Sequence, residues 1–515
     1  METIVQYFII IPLAAAFIIP IIGKRVKIAA PVVSCAALLG MVVLSVLAAS
    51  SVSVSKALVY KVGHAASALG ISMVIDPLSA FMLVIVNTIA LIAAVYSIGY
   101  MEKYTDKWKF YTLFMAMVGG INGVLVAGDL FNLYVFLEVA AIAGYFLVAF
   151  GIEPEALEAS FKYAVMGTVA SAFILLGIAL LYGYASTLNM ADLAGVLAAA
   201  PQAHALKLVA VLFIMGFGLK AALFPFHAWL PYAHSAAPAP VSAMLSGVSI
   251  KVLGIYALAR VLFNVLGITP AIAAIFITLA VLSMVIASIL AFGQSDIKRL
   301  FAYSSISQIG YIALGLGIGT PLAILGALFH LLNHSVFKSL LFMNSGAIEH
   351  MAGTRDLNKI RGVMVNSPVT GVTTLTGALS ICGIPPFGGF WSKLIIIIAC
   401  VQVNRPGLAF TAAVVSALTL AYYFKALTPA LFGTGPEFKH KRVGLSMGTA
   451  MIALALICVI SAGMLLPNAG NRLMKDAAAV LTGGKAYALS VSETPRQTPE
   501  PGIGSGSGAG SGHKK

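Results

Sequence analysis

The sequence predicts an all-α protein that crosses a membrane many times, and three observations carry that prediction. Only 9% of the 515 residues are charged and 60% are hydrophobic, whereas a soluble domain has roughly 25% charged residues. That leaves too few charges to coat a water-facing surface, and the mean hydropathy is +1.00. The apolar residues gather in runs of about 20, the length that crosses a hydrocarbon core of roughly 30 Å. In lipid every backbone amide needs an internal partner, so such runs are helices and not open strands.

In chain order, stretches of spanning length fall at 3–22, 28–49, 73–100, 108–127, 130–151, 159–184, 206–230, 238–262, 267–292, 297–319, 321–349, 367–403, 408–433 and 444–466, about fourteen helices. The first has no basic residues ahead of it, and Lys24, Arg25 and Lys27 follow it, so it reads as a spanning helix and not a cleavable signal. In 206–230, Pro225 lacks an N–H, so the carbonyl of Ala221 loses its helical partner and the helix should open beside Lys220. The 367–403 stretch is too long for one straight crossing and holds Pro385 and Pro386, which points to a second broken helix. After residue 466 an amphipathic piece, Arg472 to Leu481, leads into a Pro/Thr/Ser/Gly tail that is expected to be disordered.

Loops after odd-numbered stretches carry Lys24/Arg25/Lys27, Lys103/Lys107/Lys109, Lys298/Arg299, Arg355/Lys359/Arg361 and Lys439/Lys441/Arg442. Loops after even-numbered ones carry fewer cations, namely Lys56/Lys61, Arg260 and Arg405. The positive-inside rule then places both termini outside. It also explains the net charge of +14. No basic stripe interleaved with aromatics accompanies that charge, so nucleic acid is not the expected partner.

A weak internal repeat is visible. GDLFNLYVFLEVAAIAGYFL from Gly128 aligns with SDIKRLFAYSSISQIGYIAL from Ser295, and SFKYAV from Ser160 echoes SVFKSLL from Ser335. LKAALFPFHAWL from Leu219 echoes LSICGIPPFGGFW from Leu379. Partners lie 160 to 180 residues apart. This implies two five-helix units, each with a broken helix, and an odd helix number inverts the second unit in the membrane. The expected organisation is helices 1–3 in 1–107, one unit in 108–262, the second in 267–433, a last helix in 444–466 and a flexible tail in 467–515.

Charged side chains within such runs are costly, about 2.5–3.5 kcal/mol at a helix centre on insertion scales, and so are functional candidates. Glu138 lies mid-run in DLFNLYVFLEV. Lys220 sits beside the Pro225 break, where desolvation would let an ammonium release its proton readily. Lys251 lies deeper in its run than Arg260, the expected interface anchor. His330, His334 and Lys338 recur every four residues and form one stripe on one helix face; imidazole titrates near neutrality and can shuttle protons. Lys393 follows the second break. Lys162, Lys425 and Asp129 lie nearer helix ends, and His227 and His234 flank a loop, as structural or rim groups.

Cys35, Cys382, Cys400 and Cys458 form no CxxC pair, which excludes an iron–sulfur cluster held by this chain alone. HLLNH lacks the glutamate of HExxH, and there is no Walker loop or nucleophile elbow. No catalytic, cofactor or metal site is therefore expected in the chain. Two other readings stay open. A free-standing transporter of an organic solute would share inverted repeats and broken helices but needs one convergent midplane pocket. An intramembrane enzyme using His330 or His334 would need a bound metal or a turnover.

DLFNLYVFLEV, GLKAALFPFHAWLPYAHSAAPAPVSAMLSGVSIKVLGIYALAR, LFHLLNHSVFKSLLF and the GTRDLNKIRG/IPPFGGFWSK pair strongly resemble the antiporter-like membrane subunits shared by respiratory complex I, Mrp-type cation/proton antiporters and complex-I-related membrane-bound hydrogenases. The resemblance covers about residues 70–435. It implies fourteen core helices in inverted repeats and a polar axis at mid-membrane depth that moves protons, or exchanges Na⁺ for H⁺. On it, Glu138 matches the key glutamate, Lys220 its partner lysine, Lys251 the bridging lysine, His330, His334 and Lys338 the second-half groups, and Lys393 the end of the path. Tyr232 stands where many relatives carry an acidic residue after WLP. The hydrogenase and Mrp branches look most similar. Expected partners are lipids and other membrane subunits, joined in a redox assembly by peripheral iron–sulfur or nickel–iron subunits. The expected location is the cytoplasmic membrane of a prokaryote.

Overall fold

A computed structural model of the chain describes residues 3–62, 71–199, 204–435, 438 and 443–486. The helices are α1 (Ile4–Gly23), α2 (Ala29–Ser55), α3 (Pro77–Tyr100), α4 (Lys107–Val126), α5 (Leu130–Val148), α6 (Pro154–Ala185), α7 (Met190–Ala199), α8 (His204–Lys220) and α9 (Trp229–Ala236). They continue with α10 (Ala239–Leu266), α11 (Pro270–Phe292), α12 (Ile297–Ile318), α13 (Pro321–Ala352), α14 (Pro368–Cys382), α15 (Gly388–Gln402), α16 (Pro406–Phe432), α17 (Leu445–Ile460) and α18 (Ala469–Thr482). Among the described residues, twelve continuous helices are long and apolar enough to cross a membrane. The other two expected stretches, 206–230 and 367–403, are each divided into shorter helices, α8/α9 and α14/α15. Continuous spans alone therefore number twelve, not fourteen.

One stretch begins differently from expectation. Residues 71–75 form a strand, β2 (Ile71–Ile75), paired antiparallel with β1 (Leu58–Val62) in the register Leu58↔Ile75. The helix starts only at Pro77, where Asp76 accepts a 2.8 Å hydrogen bond from Ser79 N. An apolar, β-branched run followed by Asp-Pro looks like helix by hydropathy. Its cap and Pro at the first turn set the boundary four residues later.

The same parts occur twice along the chain. Asp129 caps α5 and Asp296 caps α12, each accepting from backbone amides of the first turn. Each aspartate also bridges to the loop beyond the following 32-residue helix, Asp129 to Asn189 and Asp296 to Asp356. A broken helix comes next in both. The first bridge lies beside the hairpin, where Gly128 N donates to Ser72 O at 2.9 Å. The second lies at the opposite end, where Ile297 N donates to Arg355 O at 3.1 Å.

Helices α10 and α13 are buried along nearly their whole lengths and form the centre of the molecule, whereas α1, α2 and α17 turn apolar faces outward. The expected amphipathic piece is the helix α18, which crosses the hairpin end: Asn264 Nδ2 donates to Val480 O at 2.8 Å and Gly484 O at 3.1 Å. The Pro/Thr/Ser/Gly tail, and Lys439, Lys441 and Arg442, lie outside the described residues.

Two cations expected to anchor helix ends are interior groups instead. Arg260 is buried and pairs with Asp76, its Nε donating to Tyr256 Oη at 3.1 Å. Lys298 is buried and pairs with Glu349 at 3.0 Å. Both anions are distant in sequence, 184 residues away for Asp76 and 51 for Glu349. Helix-end position alone therefore could not reveal the pairing.

Candidate functional site

The expected site residues lie on a line of elements, α5, α8, α10, α13 and α15, and all but Glu138 are buried. Glu138 sits at mid-length of α5, with Oε1 3.3 Å from Nζ of Lys220, and Ser171 of α6 donates to the same oxygen. Lys220 is the last residue of α8 and is buried, whereas the Glu138 side chain is 25% exposed.

The first break is built from satisfied backbone, as irregular chain at membrane depth requires. Leu223 N reaches back to Gly218 O at 2.9 Å, Phe224 N donates to Ser283 Oγ at 2.9 Å, and the Trp229 indole donates to Leu219 O at 3.0 Å. Ala222 takes a positive φ of 56°, and the Phe224–Pro225 bond is cis. A Cβ on Gly254 would lie 2.5 Å from the Ala221 backbone, so only glycine lets α10 press against the residue after Lys220.

Helix α10 is wound as a π-helix over Leu245–Tyr256 and Arg260–Leu266. Such windings are rare and frequent at functional sites. Lys251 is fully buried in the first of them and donates to the carbonyl of Ser246. The same turn touches the second half: Ser246 Oγ is 2.8 Å from Ser305 Oγ, and Gly247 packs on Ser339, the neighbour of Lys338.

On α13, His330, His334 and Lys338 are all fully buried on one face, and the two imidazole centroids are 6.2 Å apart. Lys338 donates to Phe301 O at 2.7 Å and to Ser304, and stands 3.4 Å from Tyr423 Oη. His330 Nδ1 is 2.9 Å from Ser392 Oγ, and Ser392 adjoins Lys393. Lys393 reaches back across the second break to Ile381 O at 2.7 Å, with Ser416 Oγ at 3.4 Å. There Gly383 closes α14 with φ +76° and Pro385–Pro386 is cis.

The residues given less weight stand off this line. Lys162 forms an exposed pair with Glu158 at 2.6 Å, Lys425 donates to Phe292 O, Asp129 is a helix cap, and His227 is half-buried beside the first break. Tyr232 presents its ring to Lys162 Nζ at 3.9 Å and to the Arg299 guanidinium at 5.5 Å, so a π-face meets the cations there. Sequence reasoning missed the hydroxyl partners Ser171, Ser304, Ser392 and Tyr423 and the carbonyl of Ser246. It also missed His234, which is fully buried and not at a rim. Among the described residues no three His, Cys, Asp or Glu side chains come together as a metal site.

The fold and this line define a class: a polytopic membrane protein with a buried file of titratable side chains that joins two broken helices. Residues 127–419 match the family profile described as NADH:quinone oxidoreductase/Mrp antiporter, TM, and residues 64–111 match that of the NADH-ubiquinone oxidoreductase (complex I) chain 5 N-terminus. The chain belongs to this complex I/Mrp antiporter family of membrane subunits. It is 38% identical over 408 residues to NADH-quinone oxidoreductase subunit N of Desulforudis audaxviator, covering 76% of this chain and 80% of the relative. It is 32% identical over 445 residues to a Na(+)/H(+) antiporter subunit of Alkalihalophilus pseudofirmus, covering 86% and 90%. Its fold superposes on a chain of the membrane-bound sulfane sulfur reductase, an archaeal respiratory membrane complex, with TM-score 0.86, 29% identity and coverage of 95% and 100%.

Proposed function

We propose that this chain moves protons across the membrane along the file Glu138, Lys220, Lys251, His334, His330, Lys393, with Lys338 beside its centre, as one subunit of a larger assembly. The observation that carries the reading is the 3.3 Å Glu138–Lys220 pair at the edge of a helix break, followed inward by buried lysines that meet carbonyls and hydroxyls and by the buried His334 and His330, the latter 2.9 Å from Ser392 Oγ. At 3.3 Å and an effective dielectric of 20, the pair attraction is about 5 kcal/mol. Opening the pair would remove that attraction. The break is where such opening is expected, because Lys220 ends its helix and the segment after it is held by the Leu223 N–Gly218 O bond and by the side chains of Ser283 and Trp229 in place of a regular helical ladder. Gly254, three residues after Lys251, packs against Ala221 beside Lys220, and Lys251 in turn faces His334 and Lys338.

The repeated Asp-capped helices with bridges at opposite ends support inverted units, with both termini on the outer face. The relatives named above are subunits of an antiporter and of respiratory complexes. This supports membrane-subunit partners here, with iron–sulfur or nickel–iron subunits where the driving reaction is redox. Resident cofactors are not expected in this chain, and Na⁺ as a counter-ion is the reading appropriate to an Mrp-type assembly in a prokaryotic cytoplasmic membrane. The test replaces Lys220 with alanine in the assembly reconstituted into liposomes. Loss of driven proton transport with intact assembly is expected; wild-type transport would overturn the scheme.

A further inference from the structure

The file described above leaves a gap. Helix α13 carries His330, His334 and Lys338 at four-residue steps of about 6 Å each, and position 342, where the next step falls, is phenylalanine. Beyond it the next ionisable side chain on α13 is Glu349, which is 27% exposed at the end of the molecule opposite the hairpin. Lys338 and Glu349 are eleven residues apart, about 16 Å along the axis, too far for a proton to pass directly.

His234 occupies the missing position from another helix. It lies in the last turn of α9, just after the first break, and its ring stacks on Phe342 with centroids 4.8 Å apart and planes at 30°. It is fully buried, and neither ring nitrogen has a hydrogen-bond partner among the described residues. A buried imidazole with two unengaged nitrogens costs free energy unless it serves a purpose or holds water. The charged groups that act on it are Lys338 and Lys251 on the axis side and Lys298 on the other. Lys298 in turn joins Glu349 at 3.0 Å and the carbonyl of Ala237, three residues after His234, at 3.2 Å. Glu349 is also faced by Lys103 and Arg355.

We infer that His234 is a proton relay between Glu349, at the aqueous end, and Lys338 in the buried file. A proton taken from water by the Glu349 carboxylate passes to one ring nitrogen of His234. The other nitrogen gives up its proton to the Lys338 amine, and tautomer exchange returns the imidazole to its starting state. One proton advances and no other bond changes; ordered water spans whatever distance exceeds a direct hydrogen bond. His234 belongs to the first broken helix and Lys338 to α13, so the relay joins the two halves of the file. This inference rests on the proposed function.

The test uses the intact membrane assembly in liposomes, with proton flux driven by a potassium–valinomycin potential and read by a trapped pH dye. His234→Phe keeps an aromatic ring on Phe342 and removes both nitrogens; His234→Gln keeps polarity and removes titration. Each is expected to assemble and to lower flux about 100-fold, the low end of what a positioned proton carrier contributes. Glu349→Gln should lower it similarly, and the His234→Phe/Glu349→Gln double variant should fall no further than the lower single, because the two act in series. A merely structural histidine would give independent, multiplying losses. Wild-type flux in His234→Phe or His234→Gln, with Lys338→Met blocked, overturns the relay and leaves the proposed function standing. Wild-type flux in all of them overturns the function itself.

Discussion

Charges in the interior are of two kinds. Arg260 faces Asp76, and Lys298 faces Glu349, each cation with a carboxylate. Lys251, Lys338 and Lys393 instead meet backbone carbonyls and hydroxyls. Backbone carbonyls and hydroxyls accept from an ammonium and leave room for an amine that gains and loses a proton. The Arg260–Asp76 pair is structural. Arg260→Met should strand the Asp76 charge and cost about 3–5 kcal/mol, seen as a lowered unfolding midpoint in detergent. Asp76→Asn combined with Arg260→Met keeps the helix cap and removes the stranded charge, so most of the loss should return; a double variant no more stable than the single would refute the assignment. At this scale Glu138, Lys220, Lys251, the α13 stripe and Lys393 were legible as charges in apolar runs. Arg260 was misread because hydropathy measures depth along one helix and not what a distant helix brings to it. His234 was misread because a histidine shortly after Pro225, beside HAWLP, looks like a loop group until α13 is seen packed over it.

At the scale of elements, the two broken helices and the π-wound α10 are the parts able to change shape. Pro225 and the Pro385–Pro386 pair announced the breaks, since proline removes a helix donor wherever it stands. The π-winding had no such sign, because Leu245–Tyr256 is an ordinary apolar run with small residues. The β1–β2 hairpin was hidden for a similar reason: strand β2 and helix α3 share one continuous hydrophobic stretch. Gly254 couples two of these parts through its close approach to Ala221. Gly254→Val should push the break away and separate Lys220 from Glu138. We expect transport to fall at least fivefold while assembly persists, a shift of about 1 kcal/mol or more in barrier. Flux assays on the purified assembly check this; unchanged flux would mean that the break tolerates displacement.

For the whole molecule, hydropathy alone suffices to read a many-helix membrane protein, and the aligned motifs add a weak internal repeat. Hydropathy could not show which outward faces meet lipid and which meet protein, since both are apolar. The structure marks one of them. Glu138 lies on α5 between exposed Val135 and Ile142, so its partly open carboxylate would face hydrocarbon in an isolated chain, at a cost of about 2.5–3.5 kcal/mol on insertion scales. A neighbouring subunit is expected to cover this face. A cysteine placed at Ile142 should be protected from a small membrane-permeant maleimide in the assembly and labelled in the isolated chain; equal labelling would contradict that cover. Purification in mild detergent with mass spectrometry and an iron assay then names the neighbours. Iron-bearing partners indicate a redox-driven pump, and small membrane subunits without iron indicate an antiporter.

The central claim is that protons pass through the buried file, and Lys251 stands at its middle, fully buried with a carbonyl as partner. Lys251→Met preserves length and removes the titratable group. In liposomes holding the intact assembly, this variant should assemble at wild-type yield and lose proton flux by about two orders of magnitude, as expected for removal of a positioned proton carrier. Proton flux at the wild-type rate would contradict the account.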